Sequence, residues 1–174
     1  EQSPLDINAA TEPVCVGESH VQDYQSDLRQ GVVLRFGMVV GDDAQTRFLL
    51  RGARRARAIG LGAPDGWVHP LHSDDVGSAV VAALGAPSGV YNVGAEPVRR
   101  WELLQGYADA VGRDSAGYVG PMLRRLSGPR AEPVTRSLRV SSEHFRASTG
   151  WTPRRARFDA SWLEAAEMAT KVLR

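Results

Sequence analysis

Two short runs constrain this chain more than anything else in it. Val32-Val33-Leu34-Arg35-Phe36 and Val90-Tyr91-Asn92-Val93 are each bracketed by glycines and are apolar on both faces. A strand covered on one side alternates polar and apolar residues; a parallel strand covered on both sides does not, so these runs read as buried parallel strands. They cannot stand alone in water and need covering layers. Helical patterns lie between and after them, and strands alternating with helices indicate an α/β fold. The 174 residues, 43% hydrophobic and 24% charged, suffice for a real core and exclude a disordered tail or a disulfide scaffold.

The remaining elements follow from spacing and breakers. Residues 1–17 are rich in Pro, Asp, Asn and Gly and read as an irregular lead-in. Glu18 to Gln30 carries Val21, Tyr24 and Leu28 at helical offsets, and Gly31 ends it. A helix is expected from Gln45 to Arg57, with Phe48, Leu49 and Ala53 as its apolar stripe, then a short strand over Ala58 to Gly62. Trp67 to Leu71 is extended, and Pro70 confines it to an edge or a bulge. Ser73-Asp74-Asp75 starts a helix that runs through Leu84 and breaks at Pro87-Ser88-Gly89. Arg99 to Val111 is amphipathic, with Trp101, Leu104, Tyr107 and Ala108 on one face. Pro121 to Leu126 is a short helix candidate, Leu138-Arg139-Val140 a strand candidate, Ser141 the cap of a helix to Ala147, and Asp159 the cap of the last helix.

Charge narrows the function. Of the 21 lysine and arginine residues only Lys171 is a lysine, so a mechanism needing a catalytic lysine is almost excluded within this chain. Arginine stays protonated and cannot stand in where a tunable pKa is needed. A net charge of +1 argues against a nucleic-acid footprint. The arginine pairs Arg54-Arg55, Arg99-Arg100, Arg124-Arg125 and Arg154-Arg155 read as solvated helix faces. Cys15, the one cysteine, fits a reducing cytoplasm and is given no chemistry. No apolar run approaches a membrane span, and the first residues lack a secretory signal; starting without methionine, the chain reads as a fragment or a processed product.

Four blocks, in order, carry a family resemblance: Val33-Leu34-Arg35-Phe36-Gly37-Met38-Val39-Val40-Gly41; Trp67-Val68-His69-Pro70-Leu71-His72-Ser73-Asp74-Asp75-Val76; Gly89-Val90-Tyr91-Asn92-Val93-Gly94; and Gly150-Trp151-Thr152-Pro153. Together they resemble the C-terminal half of an extended short-chain dehydrogenase/reductase of the NAD-dependent epimerase/dehydratase family. The resemblance implies the C-terminal part of a Rossmann-like, doubly wound parallel sheet with a small, mostly α substrate lobe. Residues 1–60 and 72–94 would supply the later Rossmann strands and helices, and residues 95–174 mainly the substrate-binding lobe. It also implies NAD or NADP as cofactor, bound only with an N-terminal half, because the glycine-rich pyrophosphate loop is not among these residues.

The family's Tyr-x-x-x-Lys is missing as well: aligning Pro13 with the proline before that motif puts Val14 at the tyrosine position and Glu18 at the lysine position. No residue is therefore assigned a catalytic role. Phe36, Gly37 and Met38 match the segment beside the nicotinamide, although a plain buried strand end explains them equally well. Trp67, His72 and Arg139 are the substrate-side candidates, each weighed against packing, a loop–helix junction and a solvated or carboxylate-paired arginine respectively. His69 and His72 do not read as a metal pair, since an offset of three on a strand points them to opposite faces. Many family members that take nucleotide sugars carry a phosphate-binding arginine where this chain has Val68, which weakens that substrate class.

The expected activity is NAD(P)-dependent epimerase/dehydratase-like or carbonyl-reducing (ketoreductase) chemistry on a sugar derivative or cyclic ketone. The alternative is a non-catalytic relative that binds a metabolite or partner. The expected partner is a complementing N-terminal half or a second copy of the chain, with no nucleic acid and no membrane.

Overall fold

The computed structural model describes residues 11–119 and 135–172. In chain order the elements are α1 (Glu12–Tyr24), β1 (Val32–Phe36), β2 (Met38–Val40), α2 (Ala44–Arg54), β3 (Ala58–Gly60), β4 (Trp67–Val68), β5 (Pro70–His72), α3 (Ser73–Ala83), β6 (Gly89–Val93), β7 (Val98–Arg99), α4 (Arg100–Ala110), β8 (Gly117–Tyr118), α5 (Glu143–Thr149) and, after a 3-10 turn at Ala160–Leu163, α6 (Glu164–Val172). The helix expected at Pro121 to Leu126 lies outside the described residues.

The two glycine-bracketed runs pair with each other. β1 and β6 are parallel, in register from Val32 opposite Gly89 to Phe36 opposite Val93. At Gly37 the strand changes partner: the Gly37 N–H still donates to the Val93 carbonyl, and the Met38 N–H donates to that of His69. β2 then runs parallel to β5. A Cβ on Gly37 would lie 2.3 Å from the His69 carbonyl oxygen, so only glycine allows this crossing. β4 and β7 form an antiparallel pair, β3 and β8 a parallel one. Pro70 is the first residue of β5, where a missing N–H interrupts no ladder.

Two apolar clusters hold these elements. Leu71, Ala79, Ala83, Tyr91, Val93, Phe145 and Trp151 pack α3 and α5 against the β1–β6 region. Val40, Leu50, Leu103, Leu104, Tyr107, Trp162, Leu163 and Ala166 join α2, α4 and the C-terminal helices. Burial pushes the Tyr107 phenol up to about 12, so it stays protonated. An Arg54–Glu167 ion pair of 2.6 Å ties α2 to α6. No described helix is long and apolar enough to cross a membrane.

Several expectations are corrected. The first helix spans Glu12–Tyr24, not Glu18 to Gln30: Pro13 sits in the first turn, where its missing N–H costs nothing, and the chain turns back through Ser26–Arg29, leaving Leu28 exposed. The inward stripe of α2 is Thr46, Leu50 and Ala53, while Phe48 is 67% exposed. Trp101 is half exposed rather than buried on α4. Leu138 to Val140 forms no ladder, although the Leu138 N–H donates to the Trp67 carbonyl. Arg54 and Arg100 are not on solvated faces; Arg54 is paired and Arg100 is buried. Asp159 is a cap, but of the 3-10 turn that precedes α6 rather than of the last helix itself, accepting from the Ser161 N–H at 2.8 Å.

Candidate functional site

A cavity of about 700 Å³ opens where β1 and β6 reach their carboxyl ends. Open α/β sheets bind ligands there because strand ends leave a crevice between loops. Its wall combines Phe36, Gly37 and Met38 at the β1–β2 crossing with Asn92 from β6, Trp67 and Val68 from β4, and Leu103 and Leu104 from α4. Three arginines, Arg35, Arg100 and Arg136, also line it. The structure thus brings together four of the six residues singled out in the sequence.

His72 is not among the lining residues. It caps α3, its Nδ1 accepting from the Asp74 N–H at 3.1 Å, and its ring meets Trp162 edge-on at 5.1 Å. Burial holds its pKa below the ordinary imidazole value, Arg155 adds to the shift, and nearby aspartates oppose it. Asp75, three residues on, is fully buried and accepts from the Arg154 and Arg155 N–H groups at 3.0 and 3.1 Å. The His-x-x-Asp block therefore fastens α3 to the segment after the Gly-Trp-x-Pro turn. Trp151 of that turn also donates its indole N–H to Ser78.

Arg139 points elsewhere too. Its guanidinium lies over the Trp67 ring at 4.9 Å, with that of Arg99 at 3.9 Å, so Trp67 is stacked by two arginines while it faces the cavity.

Four wall residues, Arg35, His69, Arg100 and Arg136, were not among the sequence-derived candidates. Arg35 is matched by Glu18, whose carboxylate accepts from Nε at 2.8 Å and Nη2 at 2.6 Å. The Arg35 hydrogen bond holds the Glu18 carboxyl below its usual range against the opposing effect of burial. Glu18 thus orients a cavity arginine from α1. His69 sits buried with Nε2 3.2 Å from the Ser142 hydroxyl, which donates to the Gly94 carbonyl. Burial lowers its pKa, a backbone hydrogen bond at Ala95 works the other way, and Arg146 lowers it further. The ring is neutral at neutral pH. Arg100 starts α4 and donates Nη1 to the Ala63 carbonyl at 2.8 Å and Nη2 to that of Arg136. A signal for Arg100 existed in Gly62 and Gly66, which leave room for its guanidinium, but it shows only once the loop is folded. Among the described residues no cluster of three metal-ligating side chains occurs.

Comparison with known proteins places the fold. No protein-family model and no curated protein matches the chain by sequence. Solved structures do. Human epimerase family protein SDR39U1 (isoform 2), solved with NADPH, superposes with TM-score 0.80 at 23% identity, over 97% of this chain and 58% of that one. RMD from Pseudomonas aeruginosa, complexed with NADPH, gives 0.69 at 20% identity over 100% and 60%. UDP-glucose 4-epimerase from Thermotoga maritima, with UDP-glucose, gives 0.69 at 19% over 92% and 52%. The chain spans just over half the length of these structures. It has the Rossmann-like α/β fold of the NAD-dependent epimerase and short-chain dehydrogenase/reductase structures.

Proposed function

We propose that this chain forms the substrate-side half of an NAD(P)-dependent oxidoreductase of the epimerase/dehydratase type, acting on a small molecule. The observation that carries the reading is the cavity at the carboxyl ends of β1 and β6, with Phe36, Gly37 and Met38 in its wall. Superposition on structures solved with NADPH supports the cofactor class. The residues present fit one part of a dinucleotide. A partly exposed aromatic ring at a strand end, beside a glycine pressed on the next strand, leaves a flat apolar wall suited to a nicotinamide face. The same residues offer no glycine-rich turn for the pyrophosphate, so that contact falls to an N-terminal half. When bound, a nicotinamide supplies or accepts a hydride. This chain's part is to bind and orient the substrate: Trp67, held by its two stacked arginines, lines the wall, and the leucines of α4 close the apolar side.

The position aligned with the family's lysine is held by Glu18, which the Arg35 pair engages. That engagement favours a second reading, a non-catalytic relative that keeps the cavity as a binding site. Titration of the full-length protein with NADPH and NADH by calorimetry separates the two. Binding followed by hydride transfer to a cyclic ketone or sugar derivative supports the enzyme; absence of cofactor binding leaves the binding protein.

A further inference from the structure

The cavity wall is electrostatically one-sided. It carries three arginines and, among the described residues, no aspartate or glutamate. Arg35 is neutralised by Glu18 at 2.6 Å. Arg100 is only 4% exposed and has no carboxylate within ion-pair distance among the described residues. Burial pulls its pKa down, and the Tyr118 phenol and, after it, Asp65 act on it from longer range in the opposite direction. Its partners at hydrogen-bond distance are two backbone carbonyls, of Ala63 and Arg136. Carbonyl oxygens satisfy donors but do not cancel a unit charge, and a buried cation without a counter-ion is costly. Two carbonyls need two N–H groups, which a neutral amide would supply. The charge is surplus to that fastening.

We propose that the cavity takes an apolar carboxylic acid whose carboxylate seats on Arg100. The proposal rests on reading the cavity as the substrate site and names the class of substrate. With two of five guanidinium N–H groups committed, three remain, enough for one planar acceptor bound by two parallel hydrogen bonds. One negative charge balances one positive charge. The rest of the wall fits an apolar body: Met38, Leu49, Ile59, Leu61, Leu103 and Leu104 present alkyl or thioether surface. A volume of about 700 Å³ admits a molecule considerably larger than a single ring.

The test compares a matched pair, 2-naphthoate and 2-naphthamide, titrated calorimetrically into the full-length protein. Naphthoate should bind about tenfold tighter or more, the range for a charge-assisted hydrogen bond. Arg100→Gln should abolish the preference, bringing the two affinities to within about twofold of each other. Equal affinities in the wild type, or a preference that survives Arg100→Gln, overturn the proposal. If the glutamine variant does not fold, Arg100→Lys serves: it keeps the charge, loses the planar fork, and should lower the naphthoate-to-naphthamide preference roughly fivefold. An unchanged ratio there also overturns it. NADPH titration of the same samples keeps the outcomes apart. Cofactor binding without a carboxylate preference sinks this inference alone, and a carboxylate preference without cofactor binding sinks the oxidoreductase reading alone.

Discussion

Glu18→Gln isolates the interaction that links the first helix to the cavity wall. The Glu18 side chain is 9% exposed and that of Arg35 26%, and two charge-assisted hydrogen bonds of 2.8 and 2.6 Å join them. Fully buried, the loss of one partner would cost about 3–5 kcal/mol. Arg35 is partly solvated, which screens the pair, so the expected loss at pH 7 is about 1–3 kcal/mol. The sign of the pH dependence is fixed by the direction of the shift. The folded-state pKa of Glu18 lies below its ordinary value of 4.5, so the pair contributes fully above about pH 5, and its contribution is lost as pH falls through the lower folded value. Urea unfolding of the full-length wild type and variant, followed by circular dichroism from pH 3 to 7, reads both quantities. The two stabilities should differ at neutral pH and converge in acid. A difference under about 0.5 kcal/mol at pH 7, or one that stays constant down to pH 3, refutes the account.

Asp75→Asn turns one buried acceptor into a donor facing a backbone N–H and should cost about 2–4 kcal/mol in chemical denaturation, with faster proteolysis after Trp151. Gly37→Ala places a methyl against the His69 carbonyl and should lower stability by about 1–3 kcal/mol; an unchanged urea midpoint contradicts the close approach. Asp43→Ala removes the cap that accepts from Thr46 at 2.9 Å and should cost about 1 kcal/mol by thermal melting. His69 is held neutral by burial while the unfolded chain protonates near 6.5, so stability should fall as pH drops below that value, by up to about 1.4 kcal/mol per pH unit per group; His69→Gln should reduce the slope between pH 6.5 and 5, and an equal slope contradicts it.

What the sequence disclosed divides along one physical line. Features fixed by a few neighbouring residues were legible: the glycine-bracketed strands β1 and β6, the start of α3 at Ser73-Asp74-Asp75, and the cap at Asp159. Phe36, Gly37 and Met38 were singled out through the family resemblance, which matches them to the segment beside the nicotinamide, and with Trp67 they line the cavity. Features set by contacts between distant segments were not legible. Arg100 looks like a surface arginine beside Arg99, and nothing local says that the loop at Gly62 to Gly66 and the chain at Arg136 close around it. The start of α1 was missed for a different reason. Proline and glycine in its first turns weigh against a helix by propensity, yet Pro13 occupies a position where proline is tolerated.

The shortage of lysine acquires a structural meaning at the cavity. Among the described residues the wall holds no Asp, Glu, Lys, Cys or Tyr; its cations are arginines, whose charge is fixed. Its titratable group is His69, and burial keeps that ring neutral while the Ser142 hydroxyl occupies its Nε2. A wall built this way sets a permanent field and a shape but exchanges no proton near neutral pH. A reaction run in this cavity would draw its proton from water, from the substrate, or from residues other than those described in the wall. With Arg35 already matched by Glu18, Arg100 is the cation left to fix where a negative charge sits while that happens. Division of labour of this kind predicts that substitutions at Arg100 change which substrate is held, read as a changed naphthoate-to-naphthamide affinity ratio.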